Sequence, residues 1–339
     1  MRRQLLLFLM LPLCAFANPK TDIVHLVNGN ILNVELRSMS MAYMSVDTDS
    51  MGTINVKWPD VIYISSPHNY VVEDSTGGRF YGSLSTAEDR ILQIIGADGT
   101  HAMPFSSVVS VYPSSRSMWR RFEGSVDGGY SFTKSDSRSD FNLSGELAYR
   151  SFQWETQLNV ESDFSRSNGR TDTDRDAIGF SAMRHLGSRW NALTFAQYQH
   201  NLELGLSYRN SILGGVARRL VQTNRTTFTV MGGAAYAYEN YTDIGPKSSV
   251  EAGLGARYEF YKLYSPKIDI SIQFLVTPSL TISNRVRTEL QADTKFELIK
   301  DFFWTVSFYD SYDSKPPGQQ NQNQKQDYGF STGVGWTFR

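Results

Sequence analysis

The sequence predicts an all-β protein in which a small β module precedes an antiparallel transmembrane β-barrel of about twelve strands. Three observations predict this fold. The 339 residues include 13% aromatic residues and 26 glycines, yet the mean hydropathy is only −0.35. The first part of the chain contains an internal repeat of short segments, and the second part contains longer segments in which apolar and polar residues alternate. We therefore expect three parts, at residues 1–17, 18–115 and 116–339.

The composition argues against several classes of protein. Beyond the N-terminus, no run approaches the roughly 20 apolar residues that a transmembrane helix needs. Basic residues number 33 and acidic residues 34, so the chain lacks the electrostatic footprint of a nucleic-acid-binding protein. The many aromatic residues argue against intrinsic disorder. We therefore expect neither a helical membrane protein nor a nucleic-acid partner.

The N-terminus is typical of a secretory signal peptide. It has a basic start at residues 1–3, an apolar stretch over residues 5–16 and the small-x-small sequence Ala15-Phe16-Ala17. Cys14 is the only cysteine and would be removed with this segment, so no thiol is expected for a disulfide, a metal site or a nucleophile. An alternative in which Cys14 is lipidated is disfavoured, because the bulky Leu13 stands where that processing requires a small residue. The prediction is an exported protein of a Gram-negative bacterium.

The module contains two similar units, over residues 22–64 and 70–111. Gly29 of the first unit aligns with Gly78 of the second. Each unit alternates apolar and polar residues over short runs that are separated by Asn-Gly, Asp-Gly or Gly-Gly turns, which is the hairpin signal. We predict two small barrel-like units of SH3-like or Sm-like character.

The module carries no evident chemical site. His25, His68 and His101 are scattered singly, so a metal site would require all three to converge. An Sm-like RNA-binding role is disfavoured, because no basic stripe interleaved with aromatic residues is present. We expect no metal, no cofactor and no catalytic residue here. The favoured interpretation is a periplasmic adapter module, over residues 18–115, that packs, acts as a spacer, or binds a protein or peptidoglycan.

The second part of the chain changes to segments of about 9 to 13 residues, the length that a tilted strand needs to cross a bilayer. The alternation template identifies about twelve of them. They lie at residues 122–133, 141–149, 152–164, 175–183, 190–200, 206–219, 226–241, 249–260, 268–280, 285–298, 302–312 and 327–338.

The alternation separates an apolar face from a polar one. Across residues 285–298 the even positions are mostly apolar and the odd positions are charged or polar. A closed membrane barrel satisfies both faces, since one contacts lipid and the other a polar lumen. The charges predicted to face the lumen are Glu123, Asp127, Glu146, Glu155, Glu161, Arg209, Arg219, Arg257, Glu259, Arg285, Arg287, Glu289, Asp293, Lys295 and Glu297.

The connections predict the orientation. Short turns alternate with mostly longer polar loops, as in outer-membrane barrels, where the short turns lie in the periplasm. Aromatic residues cluster at both ends of the segments and so mark two membrane interfaces. Both ends of the barrel sequence then lie on the periplasmic side, together with the module.

The closing segment Asp327-Tyr-Gly-Phe-Ser-Thr-Gly-Val-Gly-Trp-Thr-Phe-Arg339 resembles the signal that barrel assembly machinery recognises, with Arg339 as a departure because it follows the last aromatic residue. Together with residues 307–318, it resembles the family of salt-induced outer membrane proteins, a domain family of unknown function. The resemblance covers residues 116–339 and implies an outer-membrane barrel without an established substrate or catalytic residues. The expected signal residues are Tyr328, Phe330, Trp336 and Phe338.

Three functions remain open at this point. The favoured one is a structural or adapter role, or a role in envelope stress, for a barrel whose charged lumen is narrow or plugged, since about twelve strands is far below the 16 to 18 of general porins. A selective pore for small solutes or ions is the first alternative. An outer-membrane lipid hydrolase using His200 is the second, although no G-x-S-x-G elbow is present. We therefore predict a protein that is not an enzyme, located in the outer membrane.

Overall fold

The computed structural model describes residues 20–114, 121–134, 137–201, 206–242, 245–264, 266–299, 302–315 and 325–336. The expected signal peptide and Phe338 lie outside the described residues. Within these ranges every ladder is antiparallel, which confirms the all-β prediction. No helix in the described part of the chain is long and apolar enough to span a membrane.

The N-terminal module is a nine-stranded sheet in the order β4-β3-β2-β1-β5-β6-β7-β8, and β9 pairs with both β2 and β5. The double pairing of β9 makes this part barrel-like. Its strands are β1 (Asp22–Leu26), β2 (Ile31–Ser40), β3 (Tyr43–Thr48), β4 (Gly52–Lys57), β5 (Val61–Asp74), β6 (Arg79–Ala87), β7 (Ile91–Gly96), β8 (Gly99–Pro104) and β9 (Val108–Pro113).

The two sequence units meet in one core. Trp58 and Phe105 begin short 3-10 turns at corresponding positions of the two units, and their rings stack at 4.8 Å. The Trp58 Nε1 group donates to the Phe105 carbonyl at 2.8 Å. Because both residues are buried, this contact joins the units through apolar packing as well as a satisfied polar group.

A buried carboxylate also joins the units. Asp22 accepts hydrogen bonds from the Leu36 backbone N–H at 2.7 Å, from the Tyr70 hydroxyl at 2.8 Å and from the Ser66 hydroxyl. Burial, reinforced by the Asp22 charge, raises the pKa of Tyr70 above its usual range. The phenol therefore remains a proton donor to Asp22.

The second part of the chain forms one antiparallel sheet of twelve strands in sequence order, as predicted. Each of its ladders joins consecutive strands, so the sheet is a series of hairpins. The strands are β10 (Phe122–Thr133), β11 (Arg138–Arg150), β12 (Trp154–Ser167), β13 (Arg170–Gly187), β14 (Trp190–Asn201), β15 (Leu206–Gln222), β16 (Thr226–Tyr241), β17 (Gly245–Lys262), β18 (Ile268–Pro278), β19 (Val286–Ile299), β20 (Phe302–Asp313) and β21 (Gln326–Trp336).

The structure differs from the predicted closed sheet at one place. Among the described residues, no ladder joins β10 to β21. This pairing is the one with the greatest sequence separation, and both strands are rich in glycine, so its formation has the largest entropic cost and the least side-chain packing to offset it.

Candidate functional site

The register places the charges predicted to face a lumen on the same face of the twelve-stranded sheet, apart from Arg285, which precedes β19 and has no ladder partner. Directly opposed pairs such as Glu123 with Ala148, and Arg219 with Thr229, fix the face of each strand, because opposed residues point to the same side. We call this the charged face. Residues from β11 to β17 line one cavity beside this face, so the sheet curves with the charged face on its concave side.

Ion pairs on the charged face join neighbouring positions. Arg257 pairs with Glu259 on the same strand at 2.7 Å, Arg209 pairs with Glu239 on the next strand at 2.8 Å, and Arg287 pairs with Glu251. Further pairs are Arg285 with Asp313 at 2.7 Å, Lys267 with Glu297 at 2.9 Å and Arg175 with Glu161 at 3.7 Å.

Other predicted charges are not brought into ion pairs. Gln157 donates to Glu146 at 2.9 Å and Gln291 donates to Asp293 at 3.0 Å. The Lys295 ammonium lies 4.5 Å from the centre of the Phe303 ring. Within the described ranges, Glu123, Asp127 and Glu289 form no ion pair. Ion pairs therefore neutralise many of the charges on β15 to β20. In the described ranges, Glu289 and Asp293 of β19 and the carboxylates Glu123, Asp127 and Glu146 of β10 and β11 have no ion-pair partner.

The opposite face of the sheet is apolar and exposed; we call it the apolar face. Val126 is 78% exposed and Val334 is 70% exposed. The predicted assembly-signal residues Tyr328, Phe330 and Trp336 lie on this face and are also exposed. Each of the twelve strands contributes an exposed large side chain here, including Val126, Leu147, Trp154, Ile178, Trp190, Ile212, Tyr236, Leu254, Phe274, Leu298, Trp304 and Phe330.

The module packs against the short-turn end of the sheet. The contact is centred on Glu73 of β5, which is 4% exposed. Glu73 Oε1 accepts from Arg219 Nη1 and from Gln222 Nε2, both at 2.5 Å. Its other oxygen accepts from Arg79 Nη2 at 2.8 Å. One module carboxylate therefore binds two side chains from the end of β15.

Arg79 connects the two parts of the chain in the same way. Its guanidinium donates to Glu155 Oε1 at 3.1 Å and to the Phe152 carbonyl at 3.0 Å, both in the twelve-stranded part. Within the module it also donates to the Tyr112 hydroxyl at 2.8 Å. His185 lies 2.9 Å from the same Glu155 oxygen. Burial with a full set of partners is the arrangement in which a buried ion pair is stable.

We call this group of side chains the junction network: Glu73, Arg79, Glu155, His185, Arg219 and Gln222. A backbone irregularity in β15 makes it possible. The register shifts between Arg219 and Val221, so Arg219 and Gln222 both point to the charged face although they are three residues apart. Strict alternation would have placed Gln222 on the apolar face.

Contacts around the network complete the junction. The Tyr264 hydroxyl donates to Asp60 at 2.6 Å, and the Lys57 ammonium lies 4.6 Å from the centre of the Tyr264 ring. Leu263, in the turn between β17 and β18, is 3% exposed and belongs to the hydrophobic core of the module. The junction therefore combines charge pairing with apolar burial.

The turn between β5 and β6 approaches the twelve-stranded sheet closely. Arg189 Nη2 donates to the Ser75 carbonyl at 2.7 Å and Arg189 Nη1 to the Leu220 carbonyl at 3.0 Å. Gly77 has φ +83°, and a Cβ added there would lie 2.8 Å from the Arg189 backbone nitrogen. This turn leaves no room for a side chain at Gly77.

A cavity of about 510 Å³ lies between the module and the charged face. The module contributes residues 38–41 and 109–112, and the sheet contributes Arg150, Gln222, Arg257 and Glu259. A second cavity of about 380 Å³ runs along the charged face and shares Arg150 and Glu155 with the first. The module therefore covers the end of the sheet without filling the space beside the charged face.

The His, Asp and Glu side chains of the described part of the chain bear on metal binding and on the hydrolase alternative. No group of three or more His, Cys, Asp or Glu side chains there is arranged to hold a metal ion. His200 Nδ1 lies 2.8 Å from the Ser207 carbonyl oxygen, a backbone contact.

Comparison with known families assigns the second part of the chain to a family. The family model described as "Protein of unknown function, DUF481" matches residues 126–338, which begin within β10. The chain belongs to the DUF481 family. The match contains most of the twelve-stranded sheet, and the module of this DUF481 protein lies outside it.

The chain was also compared with solved structures and with curated proteins. A solved structure titled "Bacterial polysaccharide outer membrane secretin" is similar to this DUF481 protein with a TM-score of 0.38 and 8% sequence identity, over 80% of this chain and 96% of that chain. No curated protein matches the chain.

Proposed function

We propose that this DUF481 protein is an outer-membrane β-barrel with its module in the periplasm, and that its role is structural or that of an adapter. The exposed apolar face carries the proposal. Exposed apolar patches larger than a few hundred Å² are rare on soluble monomers, whereas lipid stabilises such a face on a barrel. The charges on the other face then line a polar interior.

Membrane insertion would require the edges of β10 and β21, which no described ladder joins, to pair with each other. Unsatisfied backbone groups in lipid each cost several kcal/mol, so a spanning sheet must close. We propose that β10 and β21 pair in the membrane and that the barrel assembly machinery, reading the aromatic residues of β21, brings them together. Heat-modifiable mobility on gels, with fractionation of outer membranes, tests insertion: absence from that fraction contradicts the proposal.

A structural barrel and a pore differ at the periplasmic end, which is closed in the first and open in the second. The junction network and Leu263 hold the module over this end. Purified full-length protein in a planar bilayer should show no unitary current at any potential. Unitary current steps would contradict a plugged barrel and support the second candidate, a selective pore, which the two adjoining cavities beside the charged face favour.

The adapter role and the absence of catalysis are separate proposals. Binding of the periplasmic module to peptidoglycan is tested by sedimentation of the purified full-length protein with isolated sacculi.

A role outside catalysis is tested by a phospholipid hydrolase assay with wild type and His200→Ala: activity that disappears in the variant would contradict it. The response to salt implied by the sequence resemblance is tested by the abundance of the protein in cells grown at low and high salt.

A further inference from the structure

The cavity between the module and the charged face has the features of a ligand site. Its volume of about 510 Å³ lies in the range of small-molecule sites. Its lining combines two parts of the chain, so a bound molecule would contact both. The chemistry of that molecule follows from the polar groups in the lining that lack a partner.

The first such group is the amide of Gln222, which is 3% exposed. Its Nε2 donates to Glu73, and its Oε1 has no hydrogen-bond partner among the described residues. The orientation of the amide is fixed, because the Glu73 carboxylate can only accept and so requires the NH₂ group. Gln222 therefore offers a buried acceptor without a donor. A small shift of the amide toward the cavity would let a ligand hydroxyl donate to this oxygen and remove the cost of the missing hydrogen bond.

The second group is the guanidinium of Arg150. Three carboxylates line the cavity, and each has a cationic partner: Glu73 has Arg79 and Arg219, Glu155 has Arg79, and Glu259 has Arg257. Within the described residues, no side chain forms an ion pair with Arg150. Arg150 is exposed and lines both cavities. It therefore supplies a positive charge without a described ion-pair partner, although Glu155 lies opposite it in the β11–β12 ladder.

From these two groups we infer that the junction cavity binds a small hydroxylated organic acid, with its carboxylate on Arg150 and a hydroxyl donating to Gln222 Oε1. Guanidinium and carboxylate match in charge and in planar geometry. The hydroxyls of Thr227 and Thr229, which also line the cavity, suit a molecule with several hydroxyl groups. Sugar acids have this chemistry. The inference is independent of membrane insertion, because it concerns only the folded junction.

Three probes separate the required features: gluconate has a carboxylate and hydroxyls, hexanoate lacks the hydroxyls, and glucitol lacks the charge. Titration calorimetry of the full-length protein in detergent should show gluconate binding at least about tenfold more tightly than either of the others. Equal or absent heats for all three would mean that the cavity holds water alone, and would overturn the inference.

Arg150→Gln locates the site, since Arg150 forms no described ion pair whose loss would disturb folding. The variant should weaken gluconate binding by about tenfold or more. Arg175→Gln is the matched control. Arg175 lies on the charged face, near the end of β13 that is away from the module, so this variant should bind gluconate as wild type does. Near-UV circular dichroism checks that both variants fold. An Arg150→Gln variant that is folded and binds gluconate unchanged would also overturn the inference.

Discussion

Gly77 and Gly29 provide a matched pair for testing the junction. Each lies in a hairpin turn, Gly29 in the first unit of the module and Gly77 in the second, and their φ values of +86° and +83° are nearly equal. They differ in their surroundings: no atom lies within 4 Å of a Cβ built at Gly29, whereas the backbone of Arg189 lies at 2.8 Å from one built at Gly77. Alanine at either position therefore introduces the same backbone strain, and only Gly77→Ala adds a collision at the junction.

The magnitudes follow from these two terms. An L-residue in the left-handed region costs about 1 to 2 kcal/mol, and this is the whole expected effect of Gly29→Ala. Overpacking against a backbone adds about 1 to 3 kcal/mol, so Gly77→Ala should weaken the junction by that further amount. Since the Arg189 backbone cannot rotate away as a side-chain end can, the turn must withdraw from the sheet.

Hydrogen exchange measured by mass spectrometry reports this opening. In Gly77→Ala, backbone amides near Arg189 and Arg219 should exchange about 5 to 150 times faster than in wild type, because each 1.4 kcal/mol is about a factor of ten. In Gly29→Ala the same amides should exchange at the wild-type rate. Equal acceleration in the two variants would refute the docking of this turn on the sheet.

Two further predictions address the sheet and the module. Leu290→Arg, on the apolar face, should cost about 2 to 4 kcal/mol or block assembly, whereas Gln291→Arg, on the charged face, should be tolerated; equal amounts of both variants in the outer membrane would mean that the faces are wrongly assigned. The pKa of Tyr70 is raised by burial, so its stabilising effect is present below the ordinary tyrosine pKa of about 10 and is lost as pH rises beyond it; denaturant midpoints of the module should fall above about pH 10, and less steeply in Tyr70→Phe.

The sequence predicts the strands and their faces well because both follow from a local period of two residues. It gives the order of the twelve strands for the same reason, since each ladder joins neighbours. The junction leaves no such signal. Glu73 and Arg219 are separated by 146 positions, and the shift in β15 that turns Gln222 toward Glu73 breaks the alternation itself. Leu263 likewise has the position of a turn residue, and only tertiary packing buries it in the module.

The breadth of the junction has a consequence for how the sheet acquires its shape. The module contacts the sheet from Phe152, between β11 and β12, to Tyr264, between β17 and β18. Because these turns all contact the same module, their distances from one another are constrained. The module therefore constrains the curvature and tilt of the strands. Because it precedes the sheet in the chain, its surface can form before the strands do. A loosened module should therefore alter the radius of the sheet as well as its covered end.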